Sequence, residues 1–207
     1  MGRHVWRAVL ALMVALLGGA AMAIEQPKYS VSLHEGDFEV RRYAPYVVAE
    51  VEVSGDQGQA VRTGFRKLAG YIFGANAGQT KIAMTAPVAQ QPAGERIAMT
   101  SPVTQTPLAP DRWTVQFMMP SAYTLSTLPK PTDPDVRFRQ EPARLMAALR
   151  YSGVAREANF REKSEALGRF IAAKGFKAAG PSVLAQYDPP WTPWFMRRNE
   201  VLAPIER

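Results

Sequence analysis

Two histidines, nine methionines and a large arginine complement are the residues of this chain that could ligate, titrate or bind charge; cysteine is absent. Without cysteine there is no thiol catalysis, disulfide, Cys-ligated zinc, iron–sulfur cluster or lipidated cysteine anchor. His34 would be the one imidazole of a processed chain, too few for a His-rich metal site. Its setting, Leu33-His34-Glu35-Gly36-Asp37, reads as a turn between strands and makes it a surface residue. The paired acids Asp133/Asp135 and Glu35/Asp37 also fall in turn sequences, where solvated carboxylates are ordinary. No G-x-S-x-G, H-E-x-x-H or phosphate-loop pattern occurs, and no serine has a histidine partner unless His34 serves. The residues define no catalytic set and no protein metal site, so the chain reads as a binding protein and not an enzyme.

The elements that must position such a site come from 207 residues, 47% of them apolar. That length and composition suit one globular domain. Arg3 and Arg7 precede an apolar run, Ala8 to Ala23, that ends in Ala21-Met22-Ala23. This is the pattern of a secretory signal, with cleavage expected after Ala23 and one domain over 24–207. Of 25 basic residues, 23 then remain against 18 acidic ones, a net +5. No later segment is apolar enough to cross a bilayer, so a periplasmic or secreted product is expected. No basic run interleaved with aromatics suggests nucleic acid as a partner.

Val47, Ala49, Val51 and Val53 alternate with Val48, Glu50 and Glu52, which predicts a half-buried strand. Val61, Phe65, Leu68 and Ile72 recur at helical spacing, predicting a helix from near Asp56 to before Gly74. A second helix carries Leu167, Phe170 and Ile171, with Glu157/Arg161 and Glu165/Arg169 as pairs on its wet side and Gly175 closing it. Trp113 to Phe117 and Ser182 to Tyr187 read as strands. The segments from Pro45 to Ser54-Gly55 and from Pro142 to Ser152-Gly153 echo one another and describe a duplicated unit. About eight strands and two helices in mixed order argue α+β, and a closed or nearly closed barrel would remove exposed edges.

The most specific feature is Lys81-Ile82-Ala83-Met84-Thr85-Ala86-Pro87-Val88, which returns as Arg96-Ile97-Ala98-Met99-Thr100-Ser101-Pro102-Val103. Six of eight positions are identical. Its two copies, joined by Gln90 to Gly94, read as a hairpin. The doubled I-A-M-T-[AS]-P-V resembles the signature of the SOUL family of haem-binding proteins. So do Glu39-Val40-Arg41-Arg42-Tyr43, Thr63 to Leu68 with Tyr71-Ile72, Phe117 with Met119-Pro120-Ser121, and Gln186 to Trp191 leading to Arg197 to Val201. These blocks run from about Tyr29 to Val201. The resemblance implies a distorted eight-stranded antiparallel β-barrel of two four-stranded sheets, internally duplicated and flanked by two α-helices.

The same resemblance implies haem or another tetrapyrrole bound in an apolar cleft beside the first helix. Arg62 matches a basic position near the propionates, and Phe65 an apolar cleft position. Val61, Arg66, Met84 and Met99 complete the expected ligand site. Gly70 and Thr192 stand where some members carry lysine, which thins the propionate clamp. Arg42 stands where one branch carries a proposed histidine ligand, so non-covalent binding without axial protein ligation is expected, by a monomer acting as reversible carrier or buffer. The alternative is a module that recognises an envelope protein or lipid, with haem incidental. Met84, Met99, Met118 and Met119 can also be core fillers. Tyr187, Trp191, Trp194 and Phe195 either stack on a flat ligand or plug the barrel end. Arg197, Arg198 and Glu200 read as an internal ion pair pinning the last strand, rather than as an anion site.

Overall fold

The structure, a computed structural model, describes residues 24–78 and 94–207. The expected signal segment, the first copy of the repeated motif and Met84 lie outside the described residues. The strands run β1 (Tyr29–Glu35), β2 (Phe38–Tyr43), β3 (Tyr46–Ser54), β4 (Asn76–Ala77), β5 (Val103–Ala109) and β6 (Arg112–Met118). They continue as β7 (Lys130–Pro131), β8 (Arg137–Glu141), β9 (Arg144–Tyr151), β10 (Lys177–Ala178), β11 (Val183–Gln186) and β12 (Asn199–Glu206). Helix α1 (Gln57–Ile72) follows β3, and α2 (Glu157–Ala173) follows β9.

The strands do not form a closed barrel of two four-stranded sheets. They make one curled antiparallel sheet, a half-barrel, in the order β1-β2-β9-β12-β11-β5-β6-β3-β8, with β10 beside β12 and a separate β4-β7 pair. The two edges are blunted without being joined. A register shift between Val31 and Leu33 bulges β1, and β8 carries Arg137 and Arg139 on its exposed side. The order is symmetrical about the β11–β5 seam: β2-β9-β12-β11 on one side mirrors β8-β3-β6-β5 on the other. Within it, β2 pairs with β9 and β8 with β3, so the leading strand of each half lies in the other half's territory.

Both helices cover one face of the sheet. Val47, Ala49, Val51 and Val53 point into this core as their alternation predicts, joined by Val115, Phe117, Leu149 and Val201. Asp56 caps α1, its side chain accepting from the Gln59 N–H at 2.8 Å. The buried face of α1 is Ala60, Gly64, Leu68, Tyr71 and Ile72, which is rotated from the expected stripe; Val61 and Phe65 sit on its flank. The rotation follows from Gly64, whose bare Cα lies so close to β6 that an added Cβ would stand 2.6 Å from Val115. On α2, Phe160, Leu167, Phe170 and Ile171 are buried, with Phe170 stacked on Phe38 at 4.7 Å, and Gly175 takes a left-handed φ of 73° after the helix. Glu157/Arg161 and Glu165/Arg169 are exposed but form no ion pair among the described residues. The ion pair that ties α2 to the sheet joins Lys174 to Glu35.

The opposite face carries a second, smaller apolar cluster of Tyr43, Met146, Ala148, Ala185 and Leu202. Beside it lies a buried charge network. Glu200 is fully buried; Arg41 donates to both its carboxylate oxygens at 2.6 and 3.0 Å, Arg198 donates at 2.7 Å, and the Tyr187 hydroxyl donates at 2.8 Å. Arg41 also donates to Glu39 at 2.6 Å, and its guanidinium lies 4.5 Å from the Tyr29 ring centre. This is the internal ion pair expected to pin the last strand, and it reaches β2 as well. Burial opposes ionisation of Glu200, but the bonds from Arg41 and Arg198 outweigh it and hold the carboxyl below its usual range.

Gly64→Ala is expected to destabilise the protein by a net ~1–2 kcal/mol, because overpacking against Val115 exceeds the gain in helix propensity; a denaturant midpoint measures it. Glu200→Gln leaves Arg198 without its counter-charge and Arg41 with Glu39 alone, and is expected to cost about 3 kcal/mol at neutral pH. Because the folded Glu200 pKa is lowered, its stabilisation is complete above the ordinary carboxyl value of 4.5 and is lost as pH falls through the folded value. Stability curves of the two proteins should therefore run parallel above that pH and converge below it.

Candidate functional site

The α1 flank combines apolar surface with charge. Positions 61, 65, 69 and 73 recur every four residues, so Val61, Phe65, Ala69 and Phe73 form one stripe along its edge. Phe65 is 36% exposed and Phe73 55%, whereas the neighbouring core position Leu68 is fully buried. Phe65 is fixed from beneath by an edge contact with Phe117, 5.3 Å between ring centres. Arg62 and Arg66, one position over, are exposed, and neither has an ion pair or hydrogen-bond partner among the described residues. Lys67, next in sequence, is committed: it binds Asp133 at 3.1 Å and Asp135 at 2.6 Å. These two acids, expected to be merely solvated, instead clamp the helix to the loop before β8. Bonds from Lys67 and from the Asp135 N–H hold the Asp133 carboxyl below its usual range.

The second copy of the repeated motif lies at the C-terminal end of α1. Asn76 brackets Glu95 by bonding both its N–H and its carbonyl, at 2.9 and 2.8 Å, and the Ile97 N–H donates to the Ile72 carbonyl at 2.8 Å. Ile97 is buried and Met99 is 39% exposed. Residues 96–102 form no strand, so the expected extended hairpin arm is irregular until β5 begins at Val103. Pro102 lacks an N–H, and the Thr100 hydroxyl bonds the Met118 carbonyl instead of a strand neighbour. Four of the six expected site residues (Val61, Arg62, Phe65 and Arg66) thus share the α1 flank, Met99 stands on the segment docked at the helix end, and Met84 lies outside the described residues. Met118 and Met119 are buried, as core fillers. Phe73 was missed, although its spacing of four from Ala69 was readable.

His34 lies on β1 rather than in a turn; its ring is 64% exposed and Nδ1 sits 3.2 Å from Glu39 Oε1. Arg42 is exposed on β2. Among the described residues no cluster of His, Cys, Asp or Glu could hold a metal ion. The α1 flank fits the periphery of a porphyrin, with exposed rings for its faces and two guanidiniums that are unpaired among the described residues for its carboxylates, but it carries no imidazole for a metal.

A cavity on the helix-free face, about 210 Å³, is lined by Tyr43, Tyr46, Glu141, Arg144, Met146 and Leu202 among others. Glu141 is buried there between Arg139 Nη2 at 2.7 Å and Arg144 Nη2 at 3.2 Å. Arg139 also meets Glu50, outside the cavity lining, at 3.1 Å, so both cations of the lining are already committed to carboxylates. It is also smaller than the roughly 300–1,000 Å³ that drug-sized ligands occupy.

A curled antiparallel sheet with two helices on one face is shared with solved structures of several descriptions. The C-terminal domain of EcmrR matches with a TM-score of 0.56 at 10% identity, over 86% of this chain and 98% of that one. A hydrolase from Listeria innocua matches with 0.54 at 13% identity, over 84% and 94%. At such identities the likeness defines fold alone. Sequence relationship is more specific: residues 24–204 match the model of the SOUL heme-binding protein family, and the chain belongs to that family. Heme-binding protein 2 of Homo sapiens is 31% identical over 137 residues, 63% of this chain and 61% of that protein. Heme-binding protein 2 of Mus musculus is 40% identical over 77 residues, 34% and 37% of the two chains. The chain thus matches about three fifths of the human relative's length and less of the mouse one's. Membership supports haem as the ligand and places the chain in a binding family.

Arg62→Ala and Arg66→Ala should each change folding stability by no more than about 0.5 kcal/mol, since neither exposed side chain has a partner to lose among the described residues. Lys67→Ala should cost up to about 1 kcal/mol as its two aspartates are released. Denaturant titration of the three variants separates residues kept for structure from residues free for a ligand.

Proposed function

We propose that the protein is an exported carrier or buffer that binds haem or a related tetrapyrrole reversibly, without covalent attachment, on the α1 flank. The observation that carries this reading is the pair of arginines without a partner among the described residues, Arg62 and Arg66, beside the half-exposed rings of Phe65 and Phe73. A solvated surface cation is ordinary; two uncommitted ones bordering a fixed apolar stripe match a ligand with a flat greasy face and anionic edges. A porphyrin has that outline.

Val61, Phe65, Phe73 and Met99 supply apolar contact, and Arg62 with Arg66 meets the propionates. Removal of apolar area from water provides most of the affinity, at about 25 cal/mol per Å² before the costs of association. The carboxylate contacts set orientation, and being exposed they contribute modestly and are screened by salt. Met84, on the other motif copy, belongs to the same proposed site. The residues 24–207 carry net +5, which favours an anionic ligand, and export follows from the signal pattern of residues 1–23.

Haem titrated into the protein is expected to shift the Soret band, and Arg62→Glu to weaken binding by about tenfold, equivalent to ~1.4 kcal/mol. His34→Ala should leave both spectrum and affinity unchanged. No spectral shift at micromolar haem, or loss of the shift in His34→Ala, defeats the proposal.

A further inference from the structure

The connection between β11 and β12 turns large apolar side chains outward. Trp191 is 82% exposed, Trp194 and Phe195 are each 61% exposed, and Met196 is 65% exposed. A plug at the end of the sheet would have buried them. Four such residues within six positions are far from the scattered single exposures of an ordinary surface.

Their exposure is built in. Arg197 Nε donates to the Thr192 carbonyl at 2.8 Å, and its Nη2 donates to the Pro190 carbonyl. The Thr192 N–H bonds the Pro189 carbonyl at 3.0 Å, and the Met196 N–H bonds the Pro193 carbonyl at 2.9 Å in a single 3₁₀ turn. Asp188 receives the Arg198 N–H, and Arg198 is locked at its base on buried Glu200. The polar groups of the loop are spent inward on its own backbone. The apolar ones have only the outside left.

Two observations identify what they meet. Tryptophan beside phenylalanine and methionine, with arginines at the base, is the composition favoured where hydrocarbon gives way to lipid headgroups. The chain also enters the fold at this end: Gln26 Oε1 accepts from Arg198 Nη1 at 3.4 Å, and the Glu25 carbonyl accepts from the Ser101 N–H at 2.9 Å. The first described residues therefore lie beside the root of the exposed loop. Ile24, the first of them, is 49% exposed. Side chains 61–82% exposed stand clear of their own fold, which suits insertion into a fluid surface.

We infer that Trp191, Trp194, Phe195 and Met196 form an interfacial wedge that seats the protein on an anionic lipid bilayer. The wedge does not span it; among the described residues no helix is long and apolar enough to do so. The net positive charge of residues 24–207 adds attraction to anionic headgroups. The inference does not rest on tetrapyrrole binding.

The full chain is tested with Trp6→Phe, so that Trp113, Trp191 and Trp194 are the emitters. Pelleting is a poor readout, because the N-terminal apolar run binds lipid by itself. Vesicles of phosphatidylcholine and phosphatidylglycerol are prepared with plain or acyl-brominated lipid, bromine quenching only rings that reach it. Emission is expected to shift to the blue on plain vesicles and to fall about twofold on brominated ones, since wedge residues lie ~5–10 Å into the interface. Adding Trp191→Phe and Trp194→Phe leaves buried Trp113 alone, and its emission should be equal in both lipids. Equal emission of the three-tryptophan protein in plain and brominated vesicles overturns the inference, as does quenching that persists in the Trp113-only protein.

Discussion

A single carboxylate at the centre of the sheet governs much of this molecule. Glu200 carries a full charge with no access to water, which is tolerable only because Arg41 and Arg198 surround it. Satisfying it requires β2 and β12 to lie on either side of β9 in one register. Tyr187, from the end of β11, and Tyr29, from the edge strand, close over the same charges. A sheet with two unpaired edges has few other ways to forbid a slipped alignment, since sliding β12 by one residue would turn Glu200 toward the apolar helix-side core.

This division of chemistry leaves the outer edge of α1 free. The helix is attached through Gly64, Leu68 and Ile72 to the core, through Asn76 and Ile97 to the motif segment, and through Lys67 to the acidic loop. Each attachment uses a face other than the one bearing Arg62, Phe65 and Arg66. A rigid helix with an unused, mixed apolar and cationic edge is a preorganised surface, so little ordering would be lost on binding a flat ligand.

Much of the fold was legible from pattern. The alternation of β3 and the Asp56 and Gly175 boundaries of the helices arose from local chemistry that neighbours do not alter. The family blocks were readable because they hold motif residues at fixed places. What was not legible depended on contacts remote in the chain. Whether a sheet closes is decided by its edges, and the bulge in β1 and the arginines on β8 carry no periodic signal. Leu68 and Ile72 of the expected α1 stripe are in the core, but Val61 and Phe65 are not, because the sequence shows Gly64 without showing Val115 beneath it. Asp133 and Asp135 looked solvated because Lys67 lies 66 and 68 residues away. His34 was correctly placed at the surface, although on a strand and not in a turn. Trp191, Trp194 and Phe195 were visible as a cluster, but hydrophobicity alone does not reveal which way a proline-rich loop faces.

The exchange of leading strands between the two halves has a kinetic corollary. The contact between Arg41 and Glu200 closes a loop of 159 residues, and β2, paired locally with β1, finds its inner partner only after β9 has been made. Loop-closure entropy must be met before those pairings return any energy, which puts such a topology among slow folders, on the millisecond-to-second scale. Neither half can complete its own sheet first. The molecule becomes native late and all at once, when its last strand slides into the middle.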